Sequence, residues 1–262
     1  MRSRRSLARL VVCASALIGL AVPAAAAAAP QYVALGDSYS SGVGTRVYYN
    51  DGTSCQRSPD AYGPLISAAR GYALSFQACS GAKTTDVNAN QLGTLSSTTN
   101  LVTMTIGGND AGFSNVIINC AAYYFTCDSA ISSANSFIQN QLPGLLDTTY
   151  SDIRSHAPNA HVVILGYPHL FTSTGTTCNF NALTSTHEKE LNNTADLLDG
   201  VISGRAAAHG FTYVDPRNAF LPHEVCSSSE WLNGQSNPLS ESYHPNISGQ
   251  SEFATLIEAV LP

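Results

Sequence analysis

Five short apolar runs limit what this chain can fold into. Residues 32–35, 74–78, 101–106, 161–165 and 211–214 are each four to six residues long, rich in Val, Leu, Ile, Tyr and Phe, and bounded by turn-forming residues. That is the length and make-up of strands buried on both faces. Between them lie stretches with helical spacing: one over 59–70 opened by Ser58 as cap with Pro59 in first position, one over 129–156 interrupted at Pro143-Gly144, one over 183–209 stopped by Gly210, and a last one over 246–261. Strands that alternate with helices build a parallel sheet covered on both faces, with functional groups at the carboxyl ends of the strands. Segments 88–100 and 166–181 read as surface loops, and 220–245 as a long irregular stretch of the kind that is often functional.

The first 29 residues differ in kind. Arg2, Arg4, Arg5 and Arg9 precede the apolar run 10–22, which dissolves into alanines before Pro30. The pattern reads as a secretory signal peptide at 1–29, too short and wrongly flanked for a spanning segment, and leaves 30–262 as a single domain outside the cell. With 44% apolar and 11% charged residues the chain can bury one core. Of 12 lysines and arginines four lie in the leader, leaving 8 against 18 acids, so the formal charge falls from -6 to -10. Such an acidic surface argues against nucleic acid as a partner. No stable membrane insertion is expected after the leader.

Seven cysteines become six once Cys13 is assigned to the leader. Six cysteines in an exported chain imply disulfides among Cys55, Cys79, Cys120, Cys127, Cys178 and Cys226. Roughly fifteen connectivities are open for six cysteines. Order along the chain suggests Cys55 with Cys79, Cys120 with Cys127, and Cys178 with Cys226, and only the short Cys120 to Cys127 loop is close to forced. There is no Cys-x-x-Cys and no His pair at ligand spacing, so no metal is expected.

A serine nucleophile needs a sharp turn after a strand, a histidine within reach and donors for an oxyanion. Gly36-Asp37-Ser38 follows the first strand and precedes a segment able to turn into a helix, where backbone N–H groups favour negative charge. Taken alone it could be a turn with a helix cap. Beyond the second strand comes Cys79-Ser80-Gly81-Ala82, beyond the third Gly107-Gly108-Asn109-Asp110, and just before the final helix Tyr243-His244-Pro245. The asparagine places an amide on the same edge of the sheet as Ser38, and the glycine can bring its N–H close to a substrate oxygen. His156 and His209 stand at helix ends and read as structural; His223 shares the long loop with His244 and is the competing base. Asp37, Asp110 and Asp215 read as turn or capping residues.

The four blocks, in this order over nearly the whole mature chain, resemble the SGNH hydrolases, also called GDSL esterases and lipases. The resemblance implies an α/β fold, a flavodoxin-like three-layer α/β/α sandwich around a mainly parallel five-stranded sheet. It implies that Ser38 attacks an ester carbonyl, that His244 is general base, and that the N–H groups of Ser38 and Gly81 with the Asn109 amide hold the oxyanion. The family usually has Asp three residues before the histidine, where this chain has Glu241. Either Glu241 completes a triad, or the main-chain carbonyl of Ser242 orients His244 in a dyad, as in some similar-looking secreted actinobacterial lipolytic members.

No cofactor is implied, and neither a Gly-x-Ser-x-Gly elbow, a P-loop nor a dinucleotide fingerprint occurs. The expected substrate is a lipid or other acyl ester and the expected state a monomer. Phe113, Val116, Ile117, Tyr123, Tyr124, Phe125, Leu170 and Phe171, all in expected loops, could line an acyl groove or simply pack in the core. Two other functions fit the same blocks: a polysaccharide acetylesterase, separable by preference for acetyl over long acyl groups, and a binding module without activity, which the intact Ser38, Gly81, Asn109 and His244 argue against.

Overall fold

The computed structural model describes residues 28–122, 126–172 and 183–262. Strand β1 (Gln31–Gly36) leads into the one-turn helix α1 (Ser38–Ser41), then α2 (Tyr62–Arg70), β2 (Ala73–Phe76), α3 (Thr84–Asn90), β3 (Thr99–Thr105), α4 (Phe113–Ala122), α5 (Cys127–Asn140), α6 (Leu142–His156), β4 (His161–Leu165), α7 (Ser185–Ala208), β5 (Thr212–Val214), α8 (Arg217–Phe220) and α9 (Ile247–Glu258). All five strands pair in parallel, in the order β2-β1-β3-β4-β5. This is the doubly wound order whose winding reverses between β1 and β3, opening a crevice at the carboxyl ends of those strands.

The period of two along each strand sorts side chains to the two faces. Tyr32, Ala34, Leu101, Val163 and Leu165 pack with Ile66 of α2 and Phe253 and Ile257 of α9. Val33, Leu35, Val102, Met104, Val162 and Ile164 pack with Val87 of α3, Leu146 and Ile153 of α6, and Ile202 of α7. Two apolar layers, one on each face, make the three-layer α/β/α sandwich. Each fully buried aliphatic side chain contributes about 1.5–3 kcal/mol.

Several boundaries differ from expectation for local reasons. Helix α2 begins at Tyr62 rather than residue 59: the Ser58 hydroxyl accepts from Asp60 N–H and from Thr45 Oγ1, so it closes a turn and leaves the helix uncapped by side chain at Ala61. Helix α3 and the strand start at Thr99 fall partly in a segment expected to be loop. The α3 amino end is satisfied from far away, Thr84 donating N–H and hydroxyl to the Asp110 carboxylate. Helix α4 likewise occupies a stretch expected to be irregular. The break near Pro143 falls at Gln141, which puts Pro143 in the first turn of α6, where a missing N–H costs nothing. Among the described residues no helix is long and apolar enough to cross a membrane.

Candidate active site

The turn after β1 is built on one glycine. Gly36 has φ +120°, and a Cβ there would lie 2.4 Å from Thr105 O and 2.5 Å from Ser40 Oγ, so no side chain fits. Asp37 caps α1: its carboxylate accepts from Tyr39 N–H at 3.0 Å, from Thr105 Oγ1 at 2.7 Å and from the Tyr167 hydroxyl. Burial pushes its carboxyl up to about 6 against these hydrogen bonds. Ser38 stands at the first position of α1, its side chain buried to the extent that 8% of the residue remains exposed.

His244 arrives 206 residues later, with Nε2 2.8 Å from Ser38 Oγ. Its Nδ1 lies 2.9 Å from the Ser242 carbonyl oxygen. A carbonyl can only accept, so Nδ1 carries the proton and Nε2 offers its lone pair to the serine hydroxyl. Desolvation pushes the imidazole down to about 4, against the opposing Ser242 hydrogen bond, so it is neutral at neutral pH.

Glu241, the residue at the position of the family's acid, turns elsewhere. Its buried carboxylate accepts from the Tyr48 hydroxyl at 2.8 Å and pairs with Arg46 at 3.4 Å. These contacts fasten the loop around Gly44, which passes so near that a Cβ on Gly44 would meet Pro245 O at 2.6 Å and His244 Cβ at 2.9 Å. Asn233 completes the cradle: its N–H donates to His244 O, its carbonyl accepts from Tyr243 N–H, and its amide donates to Gly44 O.

Asn109, after β3, donates its amide to Ala82 O at 3.0 Å, which joins it to the turn carrying Gly81 at φ +80°. That turn is braced against the one that carries Ser38: Cys79 N–H donates to Gly36 O, and Cys79 is disulfide-bonded to Cys55. Cys120 and Cys127 form a second disulfide. Cys226 is disulfide-bonded, while Cys178 lies outside the described residues.

Ser38, Asn109 and His244 all line one cavity of about 450 Å³, a volume suited to a small-molecule ligand. From there it runs past Tyr167, Pro168 and Leu170 beyond β4 to Ala195 and Leu198 of α7. Of the apolar candidates, Phe113 and Ile117 line it from α4 and Leu170 from beyond β4, whereas Val116 and Phe171 belong to the core. Tyr123, Tyr124 and Phe125 lie outside the described residues.

The three other histidines weighed from the sequence are engaged away from Ser38. His223 stacks on Trp231 with ring centroids 3.6 Å apart and sits 2.6 Å from Ser229 O. His156 bonds to Asp152 O, and His209 meets Asp147. Asp110 accepts from Thr84 at the amino end of α3 and Asp215 holds Arg217. Among the described residues one group of potential metal ligands occurs, Cys127, Asp128 and His187, but the Cys127 sulfur is spent in its disulfide. Tyr48, Tyr167 and Asn233 carry no motif, and only their contacts mark them, while Tyr39 lies in the Gly36-Asp37-Ser38-Tyr39-Ser40 block without a role assigned from the sequence.

The GDSL-like Lipase/Acylhydrolase family matches residues 34–251. The chain is 48% identical over 251 residues to Lipase 1 of Streptomyces coelicolor, covering 94% of this chain and 92% of that one. A crystal structure of an extracellular lipase from Streptomyces rimosus matches with a TM-score of 0.85 at 41% identity, covering 89% of this chain and 100% of that one. One of phospholipase A1 from Streptomyces albidoflavus matches with a TM-score of 0.86 at 44% identity and the same coverage. The chain therefore belongs to the GDSL-like lipase/acylhydrolase family. It is a carboxylic ester hydrolase.

Proposed function

We propose that the protein is a secreted lipolytic enzyme, a lipase or phospholipase A1, that cleaves fatty acyl esters through an acyl-enzyme on Ser38. The observation that carries this reading is the imidazole of His244 held between Ser242 O and Ser38 Oγ at the mouth of an apolar cavity. Ser38 Oγ attacks the ester carbonyl while Nε2 of His244 takes its proton. The Ser242 carbonyl holds the Nδ1 proton and so stabilises the imidazolium that forms, making a dyad without a carboxylate. Negative charge on the former carbonyl oxygen is received by the N–H groups of Ser38 and Gly81 and by the free amide hydrogen of Asn109. The imidazolium returns its proton to the departing alcohol; water, activated by the same imidazole, then releases the fatty acid.

The cavity beyond Ser38 takes the acyl chain. It crosses from β1 over β3 to β4, two strand spacings or roughly 10 Å, before it reaches α7. That reach favours long acyl groups over acetyl. In this reading residues 1–29 are a signal peptide removed on export, 30–262 act as a single domain and a monomer, and no nucleic acid partner, metal or cofactor takes part.

The test is hydrolysis of p-nitrophenyl esters from acetate to palmitate, and of phosphatidylcholine, by wild type and Ser38→Ala. Long-chain activity lost in the variant is expected. Activity confined to acetate would replace this reading with a carbohydrate acetylesterase, and long-chain activity surviving in Ser38→Ala would remove Ser38 from the chemistry.

A further inference from the structure

A base held by an acceptor only two residues away is not fixed to the nucleophile by that contact. The acceptor is part of the same loop as the histidine, so nothing in the contact itself fixes that loop to the nucleophile. Here the loop is also in a costly conformation: Tyr243, next to His244, has φ +61°, a left-handed backbone that a bulky residue adopts only when its surroundings impose it.

Three hydrogen bonds impose it. Two come from Asn233 in the neighbouring strand-like segment, at 2.9 Å each. The third comes from the nucleophile's own helix: the Tyr39 hydroxyl donates to Tyr243 O at 2.6 Å. Tyr39 is the residue after Ser38, and its backbone N–H is tied to Asp37, so one residue is fixed to the serine at one end and to the histidine's peptide at the other.

Against the Tyr39 ring, edge to face at 5.1 Å, stands Tyr167, whose hydroxyl works in the opposite direction. It donates to Asp37 and accepts from Gly108 N–H at 3.3 Å, so it joins the turn that carries Ser38 to the turn that carries Asn109. The Tyr39 ring is also 5.2 Å from the His244 ring. Burial, with Asp37 nearby, keeps both phenols protonated far above neutrality, so both hydroxyls can remain donors.

We infer that Tyr39 and Tyr167 form a back-to-back pair of positioning residues, Tyr39 setting His244 against Ser38 and Tyr167 setting Ser38 against Asn109. The pair stands behind the catalytic groups and supplies the cross-links between their separate turns. The inference rests on the catalytic roles proposed above for Ser38, Asn109 and His244.

Replacement by phenylalanine removes each hydroxyl and keeps each ring as a wall of the cavity, so substrate binding should be spared. With p-nitrophenyl butyrate, Tyr39→Phe and Tyr167→Phe are each expected to lower kcat about tenfold or more, with KM changed by no more than about twofold; tenfold corresponds to about 1.4 kcal/mol. The two differ in a His244→Ala background, where slow residual turnover remains measurable with an activated ester. There Tyr39→Phe should have no further effect, because its target is gone, while Tyr167→Phe should still cost about tenfold.

A merely structural role for Tyr39 would give the same fold loss in both backgrounds, and that result would overturn the assignment. So would wild-type kcat in Tyr39→Phe, or a loss confined to KM. Retained activity in Ser38→Ala, measured alongside, would instead bring down the catalytic reading on which the pair depends.

Discussion

Replacing Glu241 by glutamine separates the two ways of holding the His244 imidazole. If the carboxylate served as triad acid, its loss would cost on the order of 10⁴ in turnover. In the structure it serves the Gly44 loop instead, through Tyr48 at 2.8 Å and Arg46 at 3.4 Å. Glutamine keeps an acceptor for the Tyr48 hydroxyl. What it loses is the pairing with Arg46, whose side chain is 63% exposed and therefore well screened. Exposed pairs are worth about 0.2–1 kcal/mol; here the Glu241 side chain is only 4% exposed, and glutamine removes the cost of burying its charge along with the pair. At the scale of a domain of this size, 1 kcal/mol lowers the melting temperature by about 2–4 °C. The expected outcome is kcat within about twofold of wild type and a melting temperature a few degrees lower at most, read with p-nitrophenyl butyrate and by thermal denaturation. Glu241→Ala should be worse in stability, since it leaves the Tyr48 hydroxyl without its acceptor, at about 1–3 kcal/mol. A loss near 10⁴ in Glu241→Gln with the fold intact would refute the dyad and the reasoning behind it.

Other expectations follow from the same geometry. Asn109→Ala should fold normally and lose about 10²–10³ in turnover, the effect of removing one oxyanion donor; near-wild-type kcat would remove Asn109 from that role. The acid limb of kcat/KM should fall near pH 4, because desolvation holds His244 in its neutral, proton-accepting form until the pH drops through its lowered pKa of about 4. A midpoint at 6.5 or above would mean that the imidazole is not desolvated in the free enzyme. Ala195→Trp, filling the α7 end of the cavity, should depress hydrolysis of p-nitrophenyl palmitate at least tenfold more than that of butyrate; equal losses would show that the acyl chain lies elsewhere.

What could be read from the sequence was whatever is encoded locally. Strand β4 is found at His161–Leu165 as expected, because a central parallel strand must be apolar on both faces and so announces itself as an unbroken run. The ends of α7 and α9 follow from caps close in sequence: Thr184 and Asn246 accept N–H groups three residues on. Helix α3 was hidden because its N-cap is Lys83, not a usual capping residue, and the carboxylate that accepts from Thr84, Asp110, is 26 residues away. The orientation of Glu241 was hidden for a similar reason: its partners, Arg46 and Tyr48, lie in a loop almost two hundred residues earlier, and a three-residue spacing from His244 cannot say which way a carboxylate turns. Tyr167 gave no signal at all, sitting between glycine and proline in a stretch that resembles ordinary loop.

The 206 residues between Ser38 and His244 have a bearing on biosynthesis. A chain is made from its amino end, and its early elements can begin to organise before the rest exists. This chain presents Ser38, the proposed nucleophile, long before His244, the proposed base, which is added only when α9 is about to be made. Until His244 has been added and the segment around Asn233 has docked, Ser38 stands beside no imidazole. On the proposed roles a hydrolase arranged in this way is inert while it is being made, and a truncated product carries the serine without the means to use it.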